Sequence, residues 1–344
     1  MNEPSPIQRA LVTGGAGFLG RALVAALRAR GVDVRVLDLR PCPETPSVVG
    51  DVADPEAVAR AVEGVEMVFH AAARIDWSLN KTAQLERANV EGTAAVIRAC
   101  EEAGVARLVY TSSVDVMSGG GPIDGGDESL PYPAQHYDDY GRTKAAAERL
   151  VLAADRPGGL RTCALRVANI WGPGDPILVP RFVGMARRGP LVGLGDGSAR
   201  YGFVYLDNAV DAHLRAADAL AADARGDGPG AAGEAFFVAD EPPVNFFLFF
   251  NPLLTALGLK ARWFWLPAGP LRPVAIAWET ANRWNLTGDA PPALTRFTLD
   301  AVSRPFWFRS DKARRVLGWA PVVTPDDALA ATVRWARAEL LPAP

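Results

Sequence analysis

The chain has 344 residues and a net charge of −3, with 49% hydrophobic and 22% charged residues. This length is enough for about two domains, and the composition is typical of a globular protein and not of a disordered one. Because no basic face stands out, the charge gives no reason to expect nucleic acid as a partner.

Neither the three cysteines nor the three histidines cluster in the sequence. Widely spaced cysteines in odd number predict reduced thiols in the cytoplasm, with no disulfide framework and no zinc-binding spacing. Scattered histidines argue against a metal site and against Ser-His-Asp chemistry. No uninterrupted apolar run reaches the ~18 residues of a membrane span. The polar start MNEPSPIQR predicts no signal peptide, so we expect a cytoplasmic protein.

The first half of the chain alternates short apolar runs with helical periods, a pattern typical of βαβ units. The runs are, in order, ALVTG, VDVRVLD, VVGDV, EMVFHAA, RLVYTSS and TCALRV. Between them we predict a helix ending at Gly31, a helix capped by Asp54 and Pro55, and a long amphipathic helix over residues 82–104. The predicted fold class is α/β, a Rossmann-type doubly wound parallel sheet with helices on both faces, plus a smaller C-terminal substrate-binding lobe.

A glycine-rich turn, TGGAGFLG, follows the first predicted strand and opens the first predicted helix. It matches G-x-G-x-x-G through Gly15, Gly17 and Gly20, with Gly14 directly ahead. Glycine permits the unusual dihedral angles of this turn and the close approach of a pyrophosphate to the backbone. The helix start offers N–H groups and a positive dipole end to the phosphates. The turn therefore predicts dinucleotide binding.

Asp38 ends the second predicted strand, eighteen residues beyond Gly20. An acidic side chain at this place accepts hydrogen bonds from the hydroxyls of the adenosine ribose and repels a 2′-phosphate. The predicted cofactor is therefore NAD in preference to NADP. Arg40, two residues further on, would soften that preference.

The regular alternation weakens after residue 170. We predict an NAD-binding domain over residues 1–170, to which residues 200–240 and 300–312 return as further elements. Residues 171–199 and 241–344 are predicted to form the substrate-binding lobe. Residues 221–234 are expected to be a flexible surface loop.

Tyr140 and Lys144 lie four residues apart at the start of an alanine-rich helical stretch. This spacing places both side chains on one face of a helix. A phenol has a pKa of about 10, too high for a base at neutral pH, and a nearby ammonium together with an oxidised nicotinamide would lower it. Taken alone, the pair is more simply explained as a solvated helix face, and the rest of the chain decides between the two.

The collected motifs resemble those of an extended short-chain dehydrogenase/reductase over nearly the whole chain. In the family's order they are TGGAGFLG, the acidic Asp38, GDV around Asp51, HAA from His70, NVEGT from Asn89, YTSS ending at Ser113, and YGRTK. The resemblance implies that Ser113, Tyr140 and Lys144 perform the chemistry. Besides the four glycines and Asp38, it implies cofactor contacts from Phe18, Leu19, Asp51, Val52, Ala71, Ala72, Ala73, Asn89, Tyr140, Lys144 and Val167.

Within this family the chain most resembles the 3β-hydroxysteroid dehydrogenase branch, which includes sterol-4α-carboxylate 3-dehydrogenases. The stretches that carry this likeness are VYTSSVDVMSGG, GGDESLPYP, NIWGPGD, FVYLDNAVDAHLRAA and FRSDKARRVLGW. They imply NAD-dependent oxidation of the 3β-hydroxyl of a sterol or steroid, with loss of CO₂ where C4 bears a carboxylate. The family also commonly forms dimers through the YxxxK helix and its neighbour. Arg166 and Val167 stand where the family often reads Arg-Pro, so the loop beside the nicotinamide is in doubt.

The second half of the chain is unusually aromatic and predicts a hydrophobic small-molecule substrate. Three interpretations stay open for these side chains: the core of the lobe, the lining of a substrate pocket, or shallow contact with a membrane. The side chains are Phe246, Phe247, Phe249, Phe250, Trp263, Phe264, Trp265 and Trp278. Arg74, Arg166 and Arg181 are candidates for binding a substrate carboxylate by location only.

Other functions compete with sterol oxidation. An NADPH-dependent reductase of long-chain 2-alkyl-3-oxo acids belongs to the same branch, but Asp38 disfavours NADPH. Epimerisation or dehydration of a nucleotide sugar is disfavoured by the aromatic second half. A non-catalytic, cofactor-sensing binding protein could keep the glycine turn, but it could also lose Tyr140 or Lys144, and both are present here.

Overall fold

The computed structural model describes residues 7–43, 45–76, 81–119, 121–284, 286 and 294–341. The strands are β1 Arg9–Thr13, β2 Asp33–Asp38, β3 Ser47–Val49, β4 Met67–His70, β5 Arg107–Ser113, β6 Ile123–Gly126, β7 Arg161–Val167, β8 Asn169–Trp171, β9 Leu191–Leu194, β10 Tyr201–Tyr205, β11 Ala235–Val238, β12 Asp240–Val244, β13 Trp263–Leu266 and β14 Phe306–Phe308. The helices are α1 Phe18–Ala29, α2 Pro55–Val62, α3 Thr82–Leu85, α4 Gly92–Ala103, α5 Asp139–Ala153, α6 Leu178–Arg188, α7 Leu206–Arg225, α8 Asn251–Ala256, α9 Ala268–Arg283, α10 Arg296–Ser303, α11 Asp311–Leu317 and α12 Pro325–Glu339.

Within the described residues, a seven-stranded sheet has the order β11-β7-β5-β4-β1-β2-β3, and all of its pairings are parallel. Strands β4, β7 and β11 are buried on both faces, as the apolar runs predict. Helices α2, α4 and α5 cover one face, where Val58, Val96 and Ala147 belong to one core cluster. Helices α1 and α7 cover the other face, where Leu23 and Leu214 belong to a second cluster. The predicted doubly wound α/β class is confirmed.

The strand order reverses between β1 and β4, and ligands bind at such a switch point, outside the carboxyl ends of the strands. The glycine turn follows β1, and residues 71–73 follow β4. Ser113 ends β5, the next strand along. The fold therefore gathers the predicted site residues along one edge of the sheet.

Two smaller sheets lie beside the large one. One has the order β12-β10-β14-β6, with β8 also paired to β10, and the other joins β13 to β9. Residues 200–240 are thus split, because β10 lies in a smaller sheet whereas β11 extends the large one. The domain boundaries themselves stay a prediction.

Three elements differ from the expectations. The third strand ends at Val49 and not at Val52. The long helix predicted over residues 82–104 contains a π-helical turn over Glu86–Glu91 between α3 and α4. The loop expected at residues 221–234 is shorter, since α7 continues to Arg225 and the Asp223 carboxylate accepts hydrogen bonds from the backbone N–H groups of residues 230–232.

Candidate active site

Two adjoining cavities open at the carboxyl edge of the large sheet. The first, about 660 Å³, lies against Asp38, Asp51, Val52 and residues 71–73, and we call it the Asp38 cavity. The second, about 310 Å³, is lined by all three predicted catalytic residues, and we call it the Tyr140 cavity. Gly14, Gly17, Ala71 and Ala73 line both, so the two cavities form one continuous cleft.

The glycine turn forms the wall that the two cavities share. A Cβ on Gly20 would lie 2.0 Å from the carbonyl oxygen of Gly14, and a Cβ on Gly14 would lie 2.8 Å from the backbone of Ala72. Gly14 also has a φ of 71°, which favours glycine. The N-cap residue of α1 is Gly17, which has no side chain to cap the helix, and the first turn of α1 carries no acidic residue. The turn therefore leaves backbone N–H groups and the positive end of α1 for an anion such as a pyrophosphate.

Asp38 lies at the rim of the Asp38 cavity with its carboxylate held by backbone N–H groups. Its Oδ2 accepts from the N–H of Ala16 at 3.0 Å, and its Oδ1 accepts from the N–H of Arg40 at 3.0 Å. Each carboxylate oxygen retains a lone pair for a further donor. The Arg40 side chain is exposed, and its guanidinium donates to the carbonyl of Ala16. The carboxylate is thus well placed to accept from the hydroxyls of a ribose.

Two of the predicted cofactor contacts lie behind the cleft. Gly15 lines neither cavity, and a Cβ on it would meet the Val36 side chain at 2.6 Å, so its position favours packing against the sheet. Asn89 is buried, and its amide bonds to the backbone of Arg74 in both directions and to the hydroxyl of Thr143. Through these bonds Asn89 ties the loop after β4 to α5, and its predicted contact with the cofactor stays a prediction.

The structure brings Ser113, Tyr140 and Lys144 to one wall of the Tyr140 cavity. The Ser113 and Tyr140 side chains hydrogen-bond to each other, one at the end of β5 and the other in the first turn of α5. Lys144 is buried one helical turn later, where its ammonium donates to the carbonyl of Thr111 at 2.5 Å. It also lies 4.1 Å from the centre of the Tyr110 ring. The helix spacing seen in the sequence therefore does place the phenol and the ammonium beside one cavity.

The chain is similar to known proteins over most of its length. Residues 11–268 match the 3-beta hydroxysteroid dehydrogenase/isomerase family. The chain belongs to that family. Two curated relatives are a 3beta-hydroxysteroid-dehydrogenase/decarboxylase isoform 1 of Arabidopsis thaliana, 38% identical over 94% of this chain and 78% of that protein, and a 2-alkyl-3-oxoalkanoate reductase of Stenotrophomonas maltophilia, 39% identical over 93% of this chain and 96% of that protein. A solved short-chain dehydrogenase/reductase superfamily protein from Agrobacterium tumefaciens, with bound NAD, has a TM-score of 0.74 and 25% identity over 97% of this chain and 98% of that chain.

Membership of the 3β-hydroxysteroid dehydrogenase family confirms the resemblance drawn from the motifs. It also confirms the prediction of an NAD(P)-dependent oxidoreductase. Membership of the family does not assign a role to each site residue. These roles stay predictions, and the positions of Ser113, Tyr140 and Lys144 beside the Tyr140 cavity support them.

Burial governs the ionisation of the Tyr140 cavity. It raises the pKa of Tyr140 above its ordinary value, and the Asp115 carboxyl adds to the rise, whereas the hydrogen bond with Ser113 opposes it. Burial also lowers the pKa of Lys144 to about 7, against the opposing effect of Glu148. The protein's own groups therefore keep the proton on Tyr140. The predicted lowering of its pKa by Lys144 together with an oxidised nicotinamide stays a prediction.

Two carboxyl groups at this site were not predicted from the sequence. Asp115 lines the cavity, and burial together with Asp138 raises its pKa to about 7. Asp138 is buried, its pKa is raised by burial to about 6, and its carboxylate caps α5 by accepting from the N–H of Gly141. The Asp138 cap was legible as an N-cap residue ahead of a helix. Asp115 had no comparable signal.

The aromatic residues of the second half do not line the cleft. Among the eight, none lines the Asp38 cavity or the Tyr140 cavity as the structure describes them. Phe250 is buried and stacks on Phe182, and Phe249 stacks on Phe203 with ring centres 4.0 Å apart. Phe264 and Trp278 are instead exposed. The interpretation as core holds for the segment around Phe250, and the interpretation as pocket lining is wrong for these cavities.

Proposed function

We propose that this protein oxidises the 3β-hydroxyl of a sterol or steroid to the 3-ketone with NAD as the cofactor. The proposal rests on one observation. The glycine turn and the three residues Ser113, Tyr140 and Lys144 line the same continuous cleft. Family membership supports a dehydrogenase of the 3β-hydroxysteroid type. The NAD that a solved neighbour binds supports the choice of cofactor, as does the carboxylate of Asp38.

In this proposal the residues of the cleft fit NAD. The glycine turn and the start of α1 would hold its pyrophosphate, Asp38 its adenosine ribose, and Lys144 its nicotinamide ribose. Bound NAD supplies the hydride acceptor and a positive charge beside Tyr140. That charge favours the phenolate and opposes the rise in the tyrosine pKa that burial causes.

The chain's own groups then act on the alcohol. The Ser113 hydroxyl binds the reacting oxygen and orients it towards its hydrogen-bonding partner Tyr140. Tyr140 takes the hydroxyl proton as the hydride leaves the carbinol carbon. The pKa of Lys144 is about 7, so its ammonium loses its positive charge as the pH rises through neutral. The stabilisation that this charge gives to the Tyr140 phenolate is lost over the same pH range.

One experiment tests the activity. The protein is incubated with NAD and a panel of 3β-hydroxysteroids, with and without C4 carboxylates, while NADH absorbance and released CO₂ are recorded. Formation of NADH with any of them supports the proposal. If only NADPH and a long-chain 2-alkyl-3-oxo acid react, the reductase function replaces it. Tight cofactor binding with no turnover of any substrate would favour a cofactor-sensing protein.

If Asp38 selects NAD, its substitution changes the preference of the protein between NAD and NADP. We expect Asp38→Ser to raise the ratio of NADP to NAD use by about tenfold or more, because a carboxylate a few ångströms from a 2′-phosphate costs at least about 1.4 kcal/mol. Steady-state kinetics with both cofactors measure the ratio. Asp33→Ser, an exposed site at the other end of β2, is the control and should leave the ratio unchanged. An unchanged ratio in Asp38→Ser would remove Asp38 from the ribose site.

We also propose contact with a lipid surface through one face of α9. No described helix is long and apolar enough to span a membrane. On α9, however, Val274, Ile276 and Trp278 are exposed, and Trp284 follows directly with 73% of its surface exposed. Val274 and Trp278 are one helical turn apart and so share a face of α9, whereas Ile276 lies on a different side. The face with Val274 and Trp278 can lie in the interface of a bilayer, where a sterol substrate would be dissolved.

The double substitution Val274→Ser with Trp278→Ser should reduce co-sedimentation with vesicles of anionic and neutral lipids by several-fold. The control is Val49→Ser with Val322→Ser, two exposed apolar side chains on other elements. If the unchanged protein sediments with neither kind of vesicle, membrane contact is excluded. Dimerisation through α5 and its neighbour stays a prediction.

A further inference from the structure

The charges that line the Tyr140 cavity bear on which substrate it accepts. Among its described lining residues, Lys144 is the one cation, whereas Asp115 and Asp175 are acidic. A 4-carboxysterol and a 2-alkyl-3-oxo acid both place a carboxylate on the carbon next to the reacting carbon. Besides the positive charge of bound NAD, either substrate would need a cation or free N–H groups of the protein close to Ser113 and Tyr140.

The positive features around the cavity are already engaged. The Lys144 ammonium donates to the carbonyl of Thr111 and lies over the Tyr110 ring. The start of α6 borders the cavity through Ile177 and Leu178. Its N–H groups would suit an anion, but Asp175 already accepts from residues 177, 178 and 179 at 2.7 to 3.0 Å. The protein's own carboxylate therefore takes the N–H groups at the start of α6 that an anion would otherwise bind.

The three arginines that sequence suggested for a carboxylate do not line this cavity. Arg166 is buried in an ion pair with Glu148 at 2.7 Å. Arg74 lies against the Asp38 cavity and pairs with Asp76 at 3.0 Å. Arg181 is an exposed residue of α6. None of the three faces the reacting oxygen as Ser113 does.

Asp115 lies directly behind the oxygen-binding pair. Its Oδ2 is 3.3 Å from the Ser113 hydroxyl, and its backbone N–H donates to the same hydroxyl at 3.1 Å. Gly141 lets the start of α5 close on this turn, because a Cβ there would lie 2.5 Å from the carbonyl oxygen of Asp115. A substituent on the carbon beside the reacting alcohol would lie near the Asp115 carboxyl, because the Ser113 hydroxyl that would bind the reacting oxygen contacts that carboxyl. The pKa of Asp115 is about 7, so above neutral pH its negative charge opposes a second carboxylate there.

We propose that Asp115 selects against substrates with a carboxylate on the carbon adjacent to the reacting carbon. The preferred substrates are then 3β-hydroxysteroids that are uncharged at C4. This inference rests on the proposed oxidation of a 3β-hydroxyl, and it separates the present chain in substrate class from the decarboxylase and the oxo-acid reductase that it resembles.

The test compares two substrates in three proteins. We measure kcat/KM with NAD for a neutral 3β-hydroxysteroid and for its 4α-carboxylate, using the unchanged protein, Asp115→Asn, and the charge control Asp33→Asn. The unchanged protein and the control should favour the neutral steroid. At about pH 9, where Asp115 with its pKa of about 7 is ionised, Asp115→Asn should shift the ratio towards the carboxylate by about tenfold or more. A ratio cancels any common loss that comes from moving Ser113.

Three outcomes would overturn the inference. One is a preference of the unchanged protein for the carboxylate, which needs no variant and so stands even if Asp115→Asn fails to fold. Another is a parallel change for both substrates in Asp115→Asn, which would make Asp115 only a positioning residue for Ser113. The third is oxidation of neither steroid by the unchanged protein, in which case the proposed function falls first. Oxidation of both with the carboxylate preferred leaves that function intact and removes the inference alone.

Discussion

Tyr140→Phe should lower kcat by about 10³-fold or more while leaving the affinity for NADH within a few-fold of normal. The phenol hydroxyl is the group that hydrogen-bonds Ser113 beside the cavity, and a positioned acid or base of this kind contributes about 10²- to 10⁴-fold to a rate. Phenylalanine keeps the ring and removes only the proton acceptor. Steady-state oxidation of the best 3β-hydroxysteroid, together with calorimetric titration of NADH, measures both effects.

The matched control is Tyr137→Phe, three residues earlier in the chain. The Tyr137 hydroxyl bonds to Asp300 and lies outside the two cavities. This variant loses a phenol hydroxyl of the same chemistry and should keep near-normal turnover. Near-normal rates in Tyr140→Phe would overturn the catalytic assignment. Because phenylalanine keeps the ring, a loss of NADH affinity in that variant would show that the phenol hydroxyl also binds the cofactor and does not act only on the proton.

The parts of the site that sequence predicts well are those set by local geometry. The glycine turn lies between a strand and a helix that periodicity alone identifies, and the close contact of Gly20 with Gly14 is made within the turn itself. Lys144 follows Tyr140 by one helical turn whatever the rest of the fold does. Ser113 is placed by the end of a strand whose apolar run is plain in the sequence. The family resemblance then supplied the roles.

The parts that sequence could not predict depend on contacts between distant segments. Asp115 belongs to the site because the short 3-10 helix after β5 meets the first turn of α5, and Gly141 permits that approach. Asn89 points towards Arg74 and Thr143, and no local pattern fixes that direction. The aromatic segment around Phe250 could be core or pocket by composition, and only the stacking partners from α6 and β10 decide for the core.

Gly20→Ala should weaken NAD binding by at least about tenfold and lower the thermal stability of the protein. The new Cβ would lie 2.0 Å from the Gly14 carbonyl oxygen and 2.8 Å from the Gly15 Cα, and both are backbone atoms that cannot turn aside. The start of α1 must then move away from the turn, which separates the N–H groups of the helix from the pyrophosphate position. Calorimetric titration and thermal unfolding measure the two effects.

Gly184→Ala provides the control, because Gly184 also lies within a helix, α6, and a Cβ there meets nothing within 4 Å. Alanine in place of glycine inside a helix stabilises it by about 0.5 to 1 kcal/mol, so this variant should bind NAD normally and unfold at the same or a higher temperature. If Gly20→Ala bound NAD as tightly as Gly184→Ala, the close approach of α1 to the glycine turn would not be what forms the pyrophosphate site. If only Gly20→Ala loses affinity for NAD, then cofactor binding requires the absence of a side chain at residue 20.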